Sequence, residues 1–234
     1  MIAVFTDTLA DPQPVPTPFG ETPMTRETWC GHEVVLIGRA DARGRVVAAK
    51  EAGAEHVIGV GRAVVMEDDL APGDLILPAD ALDFTHSTPT TFFETRGLGY
   101  LQQSPPFCPE TRAALLRVAG AREVGIVAAG PNRPFTPAEL RAWRTLGAAV
   151  AMRDLAPAWY LCHELELGYA ALGWIAWVDG RQPDSTPDWQ STLAPALAAL
   201  PSEHSWQGSN TAARAALGDD WRAWIAPDDS PRML

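Results

Sequence analysis

Lysine is almost absent from this chain of 234 residues, which has a single lysine at Lys50. Basic residues number 18 against 29 acidic residues, so the formal net charge is −11. Nearly all cation chemistry must therefore come from arginine. An acidic protein is a poor partner for anionic polymers and surfaces, so we expect it to bind neither nucleic acid nor a membrane.

Cysteine and long apolar runs are also scarce. The three cysteines, Cys30, Cys108 and Cys162, are scattered and form no CxxC pair, which fits a reducing compartment better than a disulfide framework. No apolar run approaches the length needed to cross a bilayer, and no basic segment precedes an apolar run at the N-terminus. We therefore expect a cytoplasmic protein.

The familiar catalytic motifs are missing as well. The sequence contains no GxSxG, HExxH or Walker loop, so the common hydrolases and nucleoside triphosphatases find no support. His163 and Glu166 lie three residues apart on a predicted helix, but no third ligand follows in suitable spacing, and a solvated helix face is the better interpretation. We predict neither a metal nor a cofactor.

The most informative stretch runs from residue 130 to residue 179. Thr136, Pro137 and Glu139 form a capping box with proline at the first helical position, and Gly147 ends that helix. Residues 148–152 are an uncharged apolar run typical of an interior parallel strand, and a helix at 157–168 leads to a second such run at 170–178. Ligands of such units bind beyond the carboxyl ends of the strands, which directs attention to Met152, Trp177 and Asp179.

The rest of the chain continues the alternation of strands and helices. We predict strands at 2–5, 32–38, 55–60, 75–77 and 123–128, helices at 45–52 and 109–120, and a loop at 10–25. This pattern predicts an α/β fold, a single domain with a central mixed, mainly parallel sheet flanked by helices. Residues 1–180 would form the main α/β domain, and 181–234 a helical extension packed on it, with a last helix at 211–225 capped by Asn210.

Several short blocks occur in the order of a known family: TPFG at 17–20, PGD at 72–74, DFT at 83–85, PTTFF at 89–93, PFCP at 106–109 and TPAE at 136–139. In these blocks residues 1–180 resemble the purine nucleoside phosphorylase and methylthioadenosine phosphorylase family. The resemblance implies a trimeric α/β protein that binds a nucleoside-like small molecule and cleaves its N-glycosidic bond with phosphate.

The resemblance also implies which positions form the site. Asp7, Arg39 and Gly61, with Arg62 beside it, occupy the phosphate positions, and Met152 with Arg153 occupies the sugar positions. Phe135 with Arg133 corresponds to the base-stacking segment, Trp177 and Asp179 to the residues that contact the purine, and Tyr100 to the residue from a neighbouring subunit. Asp179 is the candidate catalytic acid that donates a proton to the leaving base.

This sequence departs from the family pattern at the phosphate and base positions. Asp7 replaces a hydroxyl, Ala40 a histidine, Gly61 a threonine and Trp177 an acid or amide, and the loop after Arg39 is about ten residues shorter. A carboxylate facing phosphate at 4 Å costs several kcal/mol at an effective dielectric constant near 20, on the order of the Coulomb energy of a close ion pair. Phosphate-dependent cleavage is therefore doubtful, although phosphate or another anion remains a candidate ligand.

Three interpretations stay open at this point. The chain is a divergent nucleoside phosphorylase-like protein, or the scaffold has been reassigned to a different small-molecule reaction, or it is a non-catalytic binding or assembly subunit. Each of several single residues also has an alternative, purely structural role. Arg39 could pair on the surface with Asp41 or another acid, and Met152 could belong to the core. Trp177 could fill the former base site, and Asp179 could cap a helix or turn.

Overall fold

The computed structural model of the chain describes residues 1–67, 69–86, 88–94, 96, 98–99, 101–118, 120–177, 187–201 and 210–225. Within these ranges the strands are β1 (Ile2–Phe5), β2 (Gln13–Thr17), β3 (Gly20–Trp29), β4 (His32–Ile37), β5 (His56–Val65), β6 (Leu75–Asp83), β7 (Arg122–Gly130), β8 (Ala148–Arg153) and β9 (Gly168–Trp177). The helices are α1 (Ala42–Glu51), α2 (Pro109–Val118), α3 (Pro137–Thr145), α4 (Ala158–Glu164), α5 (Trp189–Leu197), α6 (Thr211–Leu217) and α7 (Trp221–Ile225).

The strands form one mixed sheet in the order β2-β3-β4-β1-β5-β8-β7-β6-β9. The last strand in this order, β9, also pairs in parallel with β5, so β5, β8, β7, β6 and β9 close into a ring of five strands. β8 is parallel to β7, as its apolar run predicts, but antiparallel to β5. The predicted fold class, one α/β domain with a mixed sheet flanked by helices, is confirmed.

Helices cover both faces of the sheet because its strands are apolar on both sides. On one face, Val46 of α1 and Leu161 of α4 are buried with Val35 and Val57. On the other face, helices α2 and α5 bring Leu115 and Leu193 against the side chains of β1, β4 and β5. Burial of apolar surface, worth about 25 cal/mol per Å², fixes these layers. No helix in the described ranges is long and apolar enough to cross a membrane.

The predicted loop at 10–25 is wrong, because β2 and β3 form an antiparallel hairpin there. Pro14 and Pro16 suggested a loop, but β2 is an edge strand and these prolines stand at alternate positions. Alternate N–H groups of an edge strand point away from the sheet, so a proline at such a position removes no ladder hydrogen bond. Gly20, at φ +105, closes the hairpin turn.

The predicted last helix at 211–225 is also wrong in its length. Asn210 does cap its start, accepting a hydrogen bond from the Ala213 backbone N–H at 3.0 Å. The helix ends at Leu217, however, because Gly218 adopts φ +85, and a second helix, α7, follows. The indole N–H of Trp224 donates to the Gly218 carbonyl at 2.9 Å, which holds the two short helices together.

Several predicted boundaries shift without changing the element. β5 continues beyond residue 60 to Val65, and β6 continues beyond residue 77 to Asp83. α1 begins at Ala42 because the Asp41 side chain caps it, and α4 ends at Glu164 because Glu166 takes a positive φ of 55. Helices α6 and α7 pack on the core through Ala213 and Trp224. The division of the chain at residue 180 stays a prediction.

A close approach inside the closed ring of strands makes one glycine necessary. Gly59 of β5 lies under the ring of Tyr169 from β9, so a Cβ at position 59 would stand 2.0 Å from the Tyr169 hydroxyl oxygen. Tyr169 is almost fully buried and cannot swing into solvent. The pairing of β5 with β9 therefore requires a residue without a side chain at position 59.

We predict that Gly59→Ala lowers the free energy of unfolding by about 1–3 kcal/mol or more, the usual cost of overpacking a rigid core. Gly125→Ala is the matched control, since a Cβ at this strand glycine meets nothing within 4 Å. Urea denaturation of both variants, alone and combined with Tyr169→Phe, checks the mechanism. Removal of the Tyr169 hydroxyl should restore part of the stability that Gly59→Ala costs. If Gly59→Ala lowers the free energy of unfolding equally in the unmodified protein and in Tyr169→Phe, the proposed collision is contradicted.

Candidate functional site

A cavity of about 560 Å³ opens where β1, β4 and β8 end, against the middle of β5, with Trp174 of β9 and the first turn of α5 at its sides. The carboxyl edge of the sheet is thus the site of the cavity, as expected for an α/β fold. Five of the predicted ligand residues line it: Asp7, Arg39, Gly61, Arg62 and Arg153. The structure brings together the positions assigned to the phosphate and one of those assigned to the sugar.

The charged centre of the cavity is a guanidinium shared by two carboxylates. Arg39 donates from Nε to Oδ1 of Asp7 at 2.8 Å and from Nη2 to Oδ2 of Asp7 at 3.0 Å. The same Nη2 donates to Oδ2 of Asp154 at 2.7 Å. Arg39 therefore pairs with acids, as the alternative interpretation expected, and these acids are Asp7 and Asp154 and not Asp41.

The strand register explains why these residues meet. β1 and β4 are parallel neighbours with Phe5 opposite Ile37, so the residues two positions after each strand end, Asp7 and Arg39, stand side by side. Asp154 directly follows β8, which pairs with the far end of β5. Three strand ends that are distant in sequence thus supply one ion network.

This network contributes little to stability. The side chains of Arg39 and Asp7 are 51% and 62% exposed, and exposed pairs are worth at most about 1 kcal/mol. The hydrogen bond with Asp7 is the main reason that the pKa of Arg39 is raised. The network matters chemically because it places carboxylate oxygens in the cavity and occupies the guanidinium that an anionic ligand would use.

Asp154 was not predicted as a site residue. It adopts φ +61, in the left-handed region that aspartate enters more readily than most residues other than glycine. Burial raises the pKa of its carboxyl, and the charge of Arg39 opposes this effect. Its second oxygen, Oδ1, accepts no hydrogen bond from any residue within the described ranges.

Arg45 on α1 is the second residue that sequence reasoning missed. It is almost fully buried, its guanidinium lies 4.4 Å from the centre of the Phe5 ring, and its Nη2 donates to the Ile37 carbonyl at 3.4 Å. Burial lowers the pKa of this arginine. The signal in the sequence is an arginine directly before the buried run Val46 to Ala49, where a solvated side chain has no place.

Two more arginines supply positive charge without a carboxylate partner. Arg62 stands 5.9 Å from the Trp174 ring centre, and neither Arg62 nor Arg153 forms an ion pair within the part of the chain that the structure describes. Gly61 lines the same cavity. Met152 is fully buried beneath Gly61, with its Cε 3.4 Å from where a Cβ of Gly61 would be, so it packs in the core and does not line the cavity.

The other predicted positions are not brought to this cavity. Arg133 is exposed and paired with Glu139, and Phe135 packs edge-on against Trp143, because these residues precede and flank the capped start of α3. Tyr100 and Asp179 lie outside the described residues. For Trp177, only the backbone at the end of β9 is described.

A smaller cavity of about 280 Å³ shares a wall with the first one. Phe5, Arg45 and Asp154 line both cavities. The polar side chains on its opposite side are those of Thr85, His86 and Asn132. Asp154 and Arg45 thus stand between two spaces.

A third cavity, of about 370 Å³, lies under the segment that follows β6 and is separate from the ion network. Glu164 of α4 stands in its wall, is nearly inaccessible, and accepts a hydrogen bond from the Phe92 backbone N–H at 2.7 Å. Burial raises the pKa of this carboxyl from 4.5 to about 7, while hydrogen bonds from Thr91 and Phe92 act against the rise.

No group of three histidine, cysteine, aspartate or glutamate side chains is arranged to hold a metal within the described ranges. Glu166, considered above as a ligand partner of His163, instead accepts hydrogen bonds from Arg214 and from the Asn210 backbone N–H. The chemistry that the described site offers is that of carboxylates and guanidinium groups.

Comparison with known proteins gives consistent family matches. A family model described as the phosphorylase superfamily matches residues 9–199. The chain is 34% identical over 155 residues to a probable S-methyl-5'-thioinosine phosphorylase of Methanopyrus kandleri, which covers 62% of this chain and 60% of the relative. It is 30% identical over 185 residues to a 6-oxopurine nucleoside phosphorylase of Pyrococcus furiosus. This match covers 68% of this chain and 69% of the relative.

The chain thus spans about 60% of the length of the Methanopyrus relative. Among solved structures, a methylthioadenosine phosphorylase of Schistosoma mansoni in the apo form matches with a TM-score of 0.69 and 17% identity, covering 96% of this chain and 94% of that one. The same protein in complex with tubercidin matches with a TM-score of 0.68 and 16% identity, again covering 96% of this chain and 94% of that one. These structures share the fold.

The buried carboxyl of Glu164 predicts a pH dependence of stability. Its folded-state pKa of about 7 lies above the ordinary 4.5, so the protonated form stabilises the fold fully below pH 4.5. This contribution, roughly 3 kcal/mol, is lost as pH rises through about 7. Urea denaturation between pH 4.5 and 8 should show this fall in the free energy of unfolding, and Glu164→Gln should remove it.

Glu123→Gln is the matched control, because Glu123 is an exposed carboxylate paired with Arg112 and it should keep the dependence of the unmodified protein. Parallel curves for the protein and Glu164→Gln across this pH range contradict the prediction.

Proposed function

Because the chain belongs to the phosphorylase superfamily, we propose that it binds a nucleoside-like small molecule in the 560 Å³ cavity, and that inorganic phosphate is not its normal nucleophile. The named activities of its relatives, phosphorylases of S-methyl-5'-thioinosine and of 6-oxopurine nucleosides, support the ligand class. The position of the cavity at the strand ends supports the site.

The observation that carries the proposal is the binding of Asp7 and Asp154 to Arg39. A phosphate ion that binds Arg39 through Nε or Nη2 must displace a carboxylate, and one that binds through Nη1, which makes no hydrogen bond within the described residues, still stands beside the two carboxylates. Two unit charges 4 Å apart repel by about 1 kcal/mol in water and about 4 kcal/mol at an effective dielectric constant near 20. Two carboxylates of the protein thus already bind Nε and Nη2 of the guanidinium.

The remaining cations give the ligand its orientation. Arg62 and Arg153 line the same cavity, and they make no ion pair within the described residues, so they are available to polar or anionic atoms of a ligand. Gly61 lets the ligand approach the backbone of β5. Asp7, Arg39, Gly61, Arg62 and Arg153 are therefore the contact residues that we assign, with Asp179 as the candidate proton donor to the base.

We also infer a homotrimer in the cytoplasm that binds neither nucleic acid nor a membrane. The resemblance of residues 1–180 to trimeric phosphorylases supports the oligomeric state. The net charge of −11 supports the absence of an anionic polymer or surface as a partner.

Isothermal titration with S-methyl-5'-thioinosine, methylthioadenosine, inosine and adenosine, together with release of free base with and without inorganic phosphate, tests the proposal. We expect micromolar to millimolar binding of at least one nucleoside, and no increase in base release on addition of phosphate. Base release that requires phosphate contradicts the second half of the proposal, and the absence of binding to every nucleoside contradicts the first.

Asp7→Thr restores a hydroxyl at the phosphate position and frees two hydrogen bonds of Arg39. We expect this variant to bind phosphate at least tenfold more tightly than the unmodified protein, since a gain of about 1.4 kcal/mol corresponds to that factor. Asp69→Thr is the matched control, because Asp69 is an exposed carboxylate paired with Arg122 outside the cavity. Unchanged phosphate affinity in Asp7→Thr would show that Asp7 does not obstruct the anion.

A further inference from the structure

We propose that Asp154 is the general base that activates a water molecule at this site, so that the protein hydrolyses the N-glycosidic bond of its ligand. The inference rests on the proposed nucleoside-binding function and adds the nucleophile and the residue that prepares it. Water carries no charge, so the carboxylates that repel phosphate do not repel it, and they give it hydrogen-bond acceptors.

The geometry distinguishes Asp154 from the other described carboxylates of the cavity, Asp7 and Asp188. Both oxygens of Asp7 accept hydrogen bonds from Arg39, and its side chain is 62% exposed. Asp188 lies on the exposed start of α5, where its Oδ1 caps the helix by accepting from the Gln190 backbone N–H at 3.1 Å. Asp154 uses only Oδ2, toward Arg39, and Oδ1 has no hydrogen-bond donor within the described residues.

The surroundings of Asp154 suit a proton acceptor. The side chain is 32% exposed, so water reaches it, while the rest of the residue is held between the two adjoining cavities. Arg39 holds the Oδ2 side of the carboxylate by its 2.7 Å hydrogen bond, and Oδ1 is left to accept from a water molecule.

The reaction that follows is balanced without another reagent. The water oxygen forms a bond to the anomeric carbon of the sugar, and the bond from that carbon to the base nitrogen breaks with its electron pair leaving on the base. The water proton passes to Oδ1 of Asp154 and then to solvent, and the departing base takes up a proton. The products are a free reducing sugar and a free base, with no sugar phosphate.

The test measures free base and reducing sugar from a nucleoside that the protein binds, in phosphate-free buffer, for the full chain and four variants. Asp154→Asn, which keeps an acceptor for Arg39 and tolerates the left-handed backbone, should lower kcat by about 100-fold to 10,000-fold, as expected for loss of a general base. Its dissociation constant for the nucleoside should stay within about threefold. Asp7→Asn should retain more activity than Asp154→Asn.

Asp69→Asn, at an exposed ion pair outside the cavities, is the control and should match the unmodified protein. Asp154→Gly provides an independent readout, because glycine fits φ +61 and leaves room for a small carboxylate. Added formate should restore part of its activity, which a merely structural role of Asp154 would not allow.

The outcomes separate this inference from the proposed function. Nucleoside binding without any base release overturns the hydrolysis and leaves the binding site intact. Full activity in Asp154→Asn, a larger loss in Asp7→Asn, or no rescue of Asp154→Gly by formate overturns the assignment of the base. Release that occurs only with phosphate, or no nucleoside binding at all, overturns the proposed function itself.

Discussion

The pairing of β5 with three different strands is the constraint on which the rest of the structure depends. The first half of β5 lies between β1 and β9 and is parallel to both. The end of β5 pairs with β8 in the antiparallel direction. A strand with these partners must bend, and small residues at Gly59 and Gly61 allow it to do so. The ring of five strands closes as a result, and the ends of β1, β4 and β8 converge on one cavity beside the middle of β5.

Convergence of strand ends also explains the electrostatics of the site. Each end carries a charged residue, and together Asp7, Arg39 and Asp154 neutralise one another in part, while Arg45 stands buried behind them. Exposed ion pairs of this kind contribute little to folding, so their effect lies in which ligand the cavity accepts. A neutral sugar and water suit a guanidinium that is already bound to carboxylates better than a phosphate ion does.

The sequence predicts those parts of the fold that depend on local pattern. Continuous apolar runs predict β1, β4 and β8, and the capping box at Thr136 predicts the start of α3, in which both reciprocal hydrogen bonds are present. The hairpin at β2 and β3 escaped prediction because the meaning of its prolines depends on β2 being an edge strand. The break at Gly218 escaped it because a single glycine is tolerated within many helices.

The candidate site also contains residues that the sequence predicts and residues that it does not. The family resemblance placed Asp7, Arg39 and Gly61 at one site, and the structure brings them to one cavity, the first two because they follow the parallel strands β1 and β4. Asp154 escaped prediction because its orientation depends on the backbone conformation after β8, which no spacing reveals. Arg45 was missed although its place directly before the buried run Val46 to Ala49 marks it as buried. Phe135 was placed at the ligand by resemblance alone, and in the structure its ring packs against Trp143 and Gly130.

The contact between Gly59 and Tyr169 has a consequence for how this protein can diverge. A side chain at position 59 collides with the tyrosine hydroxyl, and loss of the tyrosine alone leaves a buried void beside the glycine. Each single change is therefore harmful when it comes first, and only a compensated pair of changes restores the packing. We expect these two positions to vary together among descendants of this chain, even where the charged residues of the cavity change freely.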